Sequence, residues 1–157
     1  MIKLLEIIRV NRPVPNNLKQ LEQIQSQIKS SNDLKERQEL AIKAAELVLP
    51  IWNHYYPNDK RPQVAIESAK LYLANPTEEN KVKLKDVTNV ATAADAYDVA
   101  AYAAYDAAID AASAVYAIVS AGNATAYAAS ANYYAYYATA DAADYAIRAT
   151  KIHFKIK

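Results

Sequence analysis

The sequence predicts an all-α protein: a helical bundle in which a long Ala/Tyr-rich antiparallel hairpin packs against shorter N-terminal helices. Three observations carry that expectation. The chain has one glycine in 157 residues, and folds rich in strands and tight turns depend on glycine for positive φ. Apolar residues in the first half recur at helical spacing, as in Leu18, Leu21, Ile24 and Ile28. The second half is saturated with the strongest helix former, residues 86–157 holding 27 alanines and 10 of the 13 tyrosines. This length suits one hydrophobic core. Residues 1–157 are therefore read as a single domain, with N-terminal helices over 1–76, the hairpin region over 77–148 and a tail over 149–157.

The elements follow in order. Pro13 and Pro15 bracket an irregular lead-in, after which Asn16 or Asn17 can cap the first helix. Ser31, Asn32 or Asp33 can cap the second, whose apolar face runs Leu34, Ala41, Ala45, Val48 and Trp52, widened by Ile42 and Leu49. Pro50 lies inside that pattern and lacks an N–H, which predicts a kink or break before a short turn at His54, Tyr55 and Tyr56. Asp59 stands where it can accept hydrogen bonds from the first turn of a third helix, with Pro62 in that turn. This helix should run to about Leu73 and stop at Asn75 and Pro76.

Thr77, Glu78 and Glu79 open another helix, a cap followed by acids at its positive end. Two long helices are expected over about 86–121 and 124–148, Gly122 ending the first in a left-handed turn and Asn123 capping the second. The tail from Lys151 to Lys157 alternates polar and apolar residues. It suits a strand paired with Ile7, Ile8 and Val10, and equally a helix end.

Composition excludes several functions. With 18 Lys and Arg against 17 Asp and Glu, the formal charge is +1, which gives no electrostatic reason for a nucleic-acid partner. The absence of cysteine removes disulfides, thiolate nucleophiles and cysteine metal sites, and suits a reducing cytoplasm. The N-terminus meets a charge at Lys3 and lacks the apolar core of a secretory signal. Ala111 to Ala140 carries no charge and is long enough to cross a bilayer. It is built of Ala and Tyr with Ser, Thr and Asn rather than Leu, Ile and Val, so a buried soluble helix is expected and no membrane partner. One glycine excludes the dinucleotide fingerprint, the P-loop and the Gly-x-Ser-x-Gly elbow. His54 and His153 belong to no helical metal pattern. No catalytic residue, cofactor or metal ligand is assigned, and an enzyme is not expected.

The aspartates are distributed more tellingly. Residues 86–147 contain seven Asp and no Lys or Arg. At 100° per residue, Asp95, Asp98, Asp106 and Asp110 fall within about 120° of arc, with Tyr102 inside it. Asp141 shares a sector of the second hairpin helix with Tyr127, Tyr134 and Tyr145. Carboxylates so placed suit a solvated face that keeps an Ala-rich helix soluble. The functional alternative is a surface for a basic partner, Asp supplying charge and Tyr rigid anchors. On the second reading the partner-binding residues are Asp95, Asp98, Tyr102, Asp106, Asp110, Tyr134 and Asp141.

The stretch from Leu49 to Ala69, LPIWNHYYPNDKRPQVAIESA, resembles a signature of the Imm-5 family of immunity proteins from bacterial polymorphic toxin systems. In that family a tryptophan-bearing helix precedes Pro-x-Asp-x-Arg-Pro and Ala-Ile-Glu-x-Ala. Trp52, Pro57, Asp59, Arg61, Pro62 and Glu67 match, and an Ala-rich half follows, so the similarity covers roughly residues 40–148. The resemblance implies an all-helical fold and a cognate toxin as protein partner. The motif itself reads mainly as a helix-start device. Two functions are then carried forward: a non-catalytic immunity protein that covers a basic toxin with the Asp/Tyr face, and a structural module that self-assembles into a homo-oligomer through Ala/Tyr faces.

Overall fold

The computed structural model describes residues 14–90, 99–121 and 125–156. Among them are six α-helices and no strand: α1 Val14–Ser30, α2 Leu34–Tyr55, α3 Arg61–Ala74, α4 Glu78–Val90, α5 Val99–Ala121 and α6 Thr125–His153. The all-α expectation holds. No helix among the described residues is long and apolar enough to cross a membrane.

The helix boundaries have local causes. α1 begins before its expected caps, so Asn16 and Asn17 lie inside it. Pro15 occupies its first turn, where a missing N–H has no intrahelical partner to lose. Its stripe buries Leu21, Ile24 and Ile28. α2 is capped by Asp33, whose Oδ1 accepts from the N–H groups of Lys35 and Glu36. The predicted break at Pro50 does not occur, and α2 continues to Tyr55. Ile51 and Trp52 are both buried, and their packing holds the turn after Pro50 in helical register against the lost hydrogen bond.

α3 starts as expected, Asp59 Oδ1 accepting from the Arg61 N–H at 3.1 Å with Pro62 buried in the first turn. It ends at Ala74, one residue past the expected stop. Thr77 Oγ1 accepts from the Asn80 N–H and so caps α4. The helix expected from residue 86 is corrected: Asp86 lies within α4, and α5 begins at Val99. The change of composition at 86 falls mid-helix because Thr77, not alanine content, sets the start. The Gly122–Asn123 turn, the residue 7–10 segment and Pro13 lie outside the described residues.

α6 runs past the expected stop at 148 to His153. Beyond it Lys155 takes φ 54°. Its N–H donates to Ile152 O, and the Ile156 N–H donates to Lys151 O. This pair of bonds is the Schellman closure, which meets the carbonyls a helix end leaves open. The tail is thus a helix end, and the strand alternative is not adopted.

α5 and α6 make the most extensive helix pair, and α2 packs on both. Their shared seam is alanine: Ala103, Ala107 and Ala111 of α5, and Ala135, Ala142 and Ala146 of α6, are buried. Such small side chains allow close backbone approach. The bulk comes from elsewhere, with Leu21 and Ile28 of α1, Trp52 of α2, Leu84 of α4 and Tyr105 of α5 fully buried. α3 and α4 pack on the other flank of α5. α5 is therefore buried over most of its circumference, and Asp106, Ile109 and Asp110 lie on the strip left outward.

Candidate partner-binding face

The antiparallel hairpin brings the aspartates of two helices together. Asp106 and Asp110 lie partly buried on α5, and Asp141 is exposed on α6. Burial pushes the Asp110 carboxyl up to about 7, reinforced by the charges of Asp141 and Asp106. Burial also raises Asp106, against the opposing pull of Arg148. Asp141 is raised by partial burial and then by Asp144. Tyr145 is raised first by burial and then by Asp106, Asp110 and Asp141. These mutual effects place three of the predicted residues in one electrostatic cluster with Tyr145 and Arg148 beside it. Among the described residues, no group of three acids or histidines is arranged to hold a metal ion.

The solvent face of α6 continues the cluster. Tyr133, Tyr134 and Tyr137 are 66%, 54% and 55% exposed, unusual for such large aromatic side chains. The rings of Tyr133 and Tyr137 lie 4.5 Å apart. Tyr134 and Asp141 are seven residues apart, and Asp144 and Arg148 follow on the same face. Asp95, Asp98 and the side chain of Tyr102 lie outside the described residues.

The motif residues form a separate structure at the start of α3. The Trp52 Nε1–H donates to Asp59 O at 2.8 Å. Its indole lies 4.6 Å from the Tyr56 ring and 5.0 Å from the Tyr105 ring. The Arg61 guanidinium grips both Asp59 carboxylate oxygens and stands 5.5 Å over Tyr105. That grip holds the Asp59 carboxyl below its ordinary value. Pro57 is exposed in the preceding turn, and Glu67 is exposed on α3, accepting from Gln63.

Among the buried polar residues, Arg37 and Gln38 tie helices together in a way the sequence does not announce. Arg37 is only 6% exposed. Its guanidinium donates to Ile28 O and Ser31 O at the end of α1, and to Thr139 Oγ1 and Tyr136 O of α6. It also lies 4.2 Å over the Tyr136 ring. One side chain thus closes the C-terminus of α1 and ties it to α6. Burial lowers its pKa, yet a guanidinium remains charged. The Gln38 amide donates to Ala114 O of α5. Both residues sit between Leu34 and Ala41 on the apolar stripe of α2, and that phase was the available signal.

The family model for immunity protein Imm5 matches residues 10–146. The chain belongs to the Imm5 immunity protein family. The match extends the motif resemblance to almost the whole helical domain, α1 included. No curated protein and no solved structure matches the chain.

Proposed function

We propose that this Imm5 protein is a non-catalytic cytoplasmic immunity protein of a bacterial toxin system, and that it neutralises its toxin through the acidic Asp/Tyr face of α5 and α6. The observation that carries the reading is the convergence of Asp106, Asp110 and Asp141 from two helices beside three exposed tyrosines. Carboxylates held partly out of water gain from an arriving cation, and tyrosine anchors add contact area at low entropic cost. A basic toxin domain would be drawn to such a face by long-range attraction and set in register by it.

The test uses a toxin domain that co-purifies with this protein from its source cell, with binding measured at several salt concentrations. Asp106→Lys with Asp141→Lys should slow association about tenfold or more and flatten its salt dependence. Unchanged affinity in that double variant would remove the acidic face from the interface.

The exposed tyrosines favour a second reading, self-assembly through α6. Light scattering over a range of concentrations separates the two. Association through apolar rings persists in high salt, whereas an acidic-face complex weakens.

A further inference from the structure

α5, α2 and α1 pack around α6 and leave one row of it outward. That row runs Tyr134, Tyr137, Asp141, Asp144, Arg148 and Lys151, of which Lys151 alone is half-buried and the rest are exposed. Steps of three and four residues alternate along it, and at 100° per residue it spans about 100° of arc. This is the seam spacing of two helices packed side by side along their length.

The row changes sign along its length. Its first half carries the tyrosines and then two carboxylates, with Asp110 of α5 acting on Asp141. Its second half carries Arg148 and Lys151, followed by exposed Lys155 and by Ile152, which is 39% exposed. The flanks do not cancel this division. Lys29 of α1 lies across a groove beside Asp144, near where the end of α1 meets Thr139 and Tyr136. Asp106 of α5 feels the pull of Arg148. Three carboxylates thus stand against one lysine in the first half, and three cations against one carboxylate in the second. Among the described residues, none of Asp141, Asp144, Arg148 and Lys151 forms an ion pair. Asp144 accepts from Gln25 of α1.

Resting on the self-assembly reading, we propose that α6 pairs antiparallel with α6 of a second copy about a two-fold axis level with Ala146. Residues equally far from that level then stand opposite one another. Asp144 meets Arg148 of the second copy, Asp141 meets its Lys151, and Tyr137 covers its Ile152. A basic partner matches only the first half of the row and leaves Arg148 and Lys151 against like charge. A copy turned end for end matches both halves, whereas a parallel copy sets carboxylate against carboxylate. Exposed ion pairs add little each, so burial of the tyrosines holds the copies together and the charges select the register. The toxin reading engages the same tyrosines and Asp141, so a second copy and a toxin compete for this face.

The test is sedimentation velocity of the full chain over a concentration series at low salt, with folding followed by circular dichroism. The parent should dimerise. Asp141→Lys with Asp144→Lys makes the row wholly basic and should weaken dimerisation about tenfold or more. Adding Arg148→Glu and Lys151→Glu to that variant reverses every pair and should restore dimerisation to within about threefold of the parent. Spin labels on Tyr133→Cys, in an otherwise parental chain, should lie about 40 Å apart across the dimer, as a rise of about 1.5 Å per residue from Ala146 requires. A label spacing under about 20 Å, close to the separation of parallel helices, overturns the antiparallel pairing. So does a loss that the fourfold reversal fails to restore, or dimerisation indifferent to both reversals. Each of these leaves self-assembly through the tyrosines standing. A parent that stays monomeric throughout overturns the self-assembly reading, and this proposal with it.

Discussion

At the scale of single residues, Asp110 links burial to pH. Its carboxyl titrates near 7 in the folded protein and near 4 when unfolded. Between those values the native state holds a proton that the unfolded state has lost. Stability from this group is therefore greatest below about pH 4, falls as pH rises by up to about 1.4 kcal/mol per unit, and levels off above about 7. Asp110→Asn, neutral throughout, should be more stable than the parent at pH 8 by on the order of 1–3 kcal/mol and similar to it at pH 4. Urea midpoints at both values check this. Asp106 and Asp141 are shifted the same way, so a weaker slope of the same sign should survive. Arg37 is the opposite case, a buried charge satisfied by carbonyls and a hydroxyl. Arg37→Ala should cost about 3 kcal/mol because those acceptors lose their donors, and Arg37→Lys should recover only part of it. Urea unfolding measures both.

At the scale of elements, the helix ends and the alanine seam are the sensitive places. Lys155 adopts a left-handed conformation that costs a non-glycine residue about 1 kcal/mol. Lys155→Gly should raise the stability of the protein by up to about that amount, read as an increase in thermal midpoint. In the seam between α5 and α6, Ala142 has no exposed surface. Ala142→Leu should force the helices apart and cost about 1–3 kcal/mol, whereas Tyr134→Leu, at an exposed position of α6, should leave stability nearly unchanged. The helix types and most of their starts were legible in the sequence because capping and proline placement are local. The course of α2 through Pro50 was not, since a proline's local penalty is outweighed by burial of Ile51 and Trp52.

At the scale of the whole molecule, the formal charge of +1 conceals a strong division. The α5–α6 hairpin is acidic until Arg148, and the balancing lysines and arginines lie mostly on the N-terminal helices. Net charge therefore gives no guide to the field that a partner meets at the hairpin. Adding salt should slow association of the toxin with the parent far more than with the Asp106→Lys, Asp141→Lys variant, as measured by stopped-flow mixing. The tertiary fold also joins distant residues at its other end. His54 and His153 lie 5.7 Å apart where α2 and α6 finish, and the Tyr55 hydroxyl is 3.1 Å from His153 Nδ1. Their separation of 99 positions in the chain gave no sign of it.

The sequence by itself determined the all-helical fold, the Ala/Tyr hairpin and the motif at the start of α3. Each follows from interactions within a few residues: alanine's helix preference, period-3.6 apolar stripes, and Asp59 and Pro62 at a helix start. It also showed which helical face carries the aspartates, since periodicity assigns residues to faces. Only the tertiary structure decided what those faces meet. It joined Asp106 and Asp110 to Asp141, set Tyr105 against Trp52 and Arg61, and buried Arg37 between α1 and α6. Periodicity fixes the direction of a side chain around its own helix axis, whereas its neighbours depend on how whole helices dock, and that is settled by the summed packing of the core.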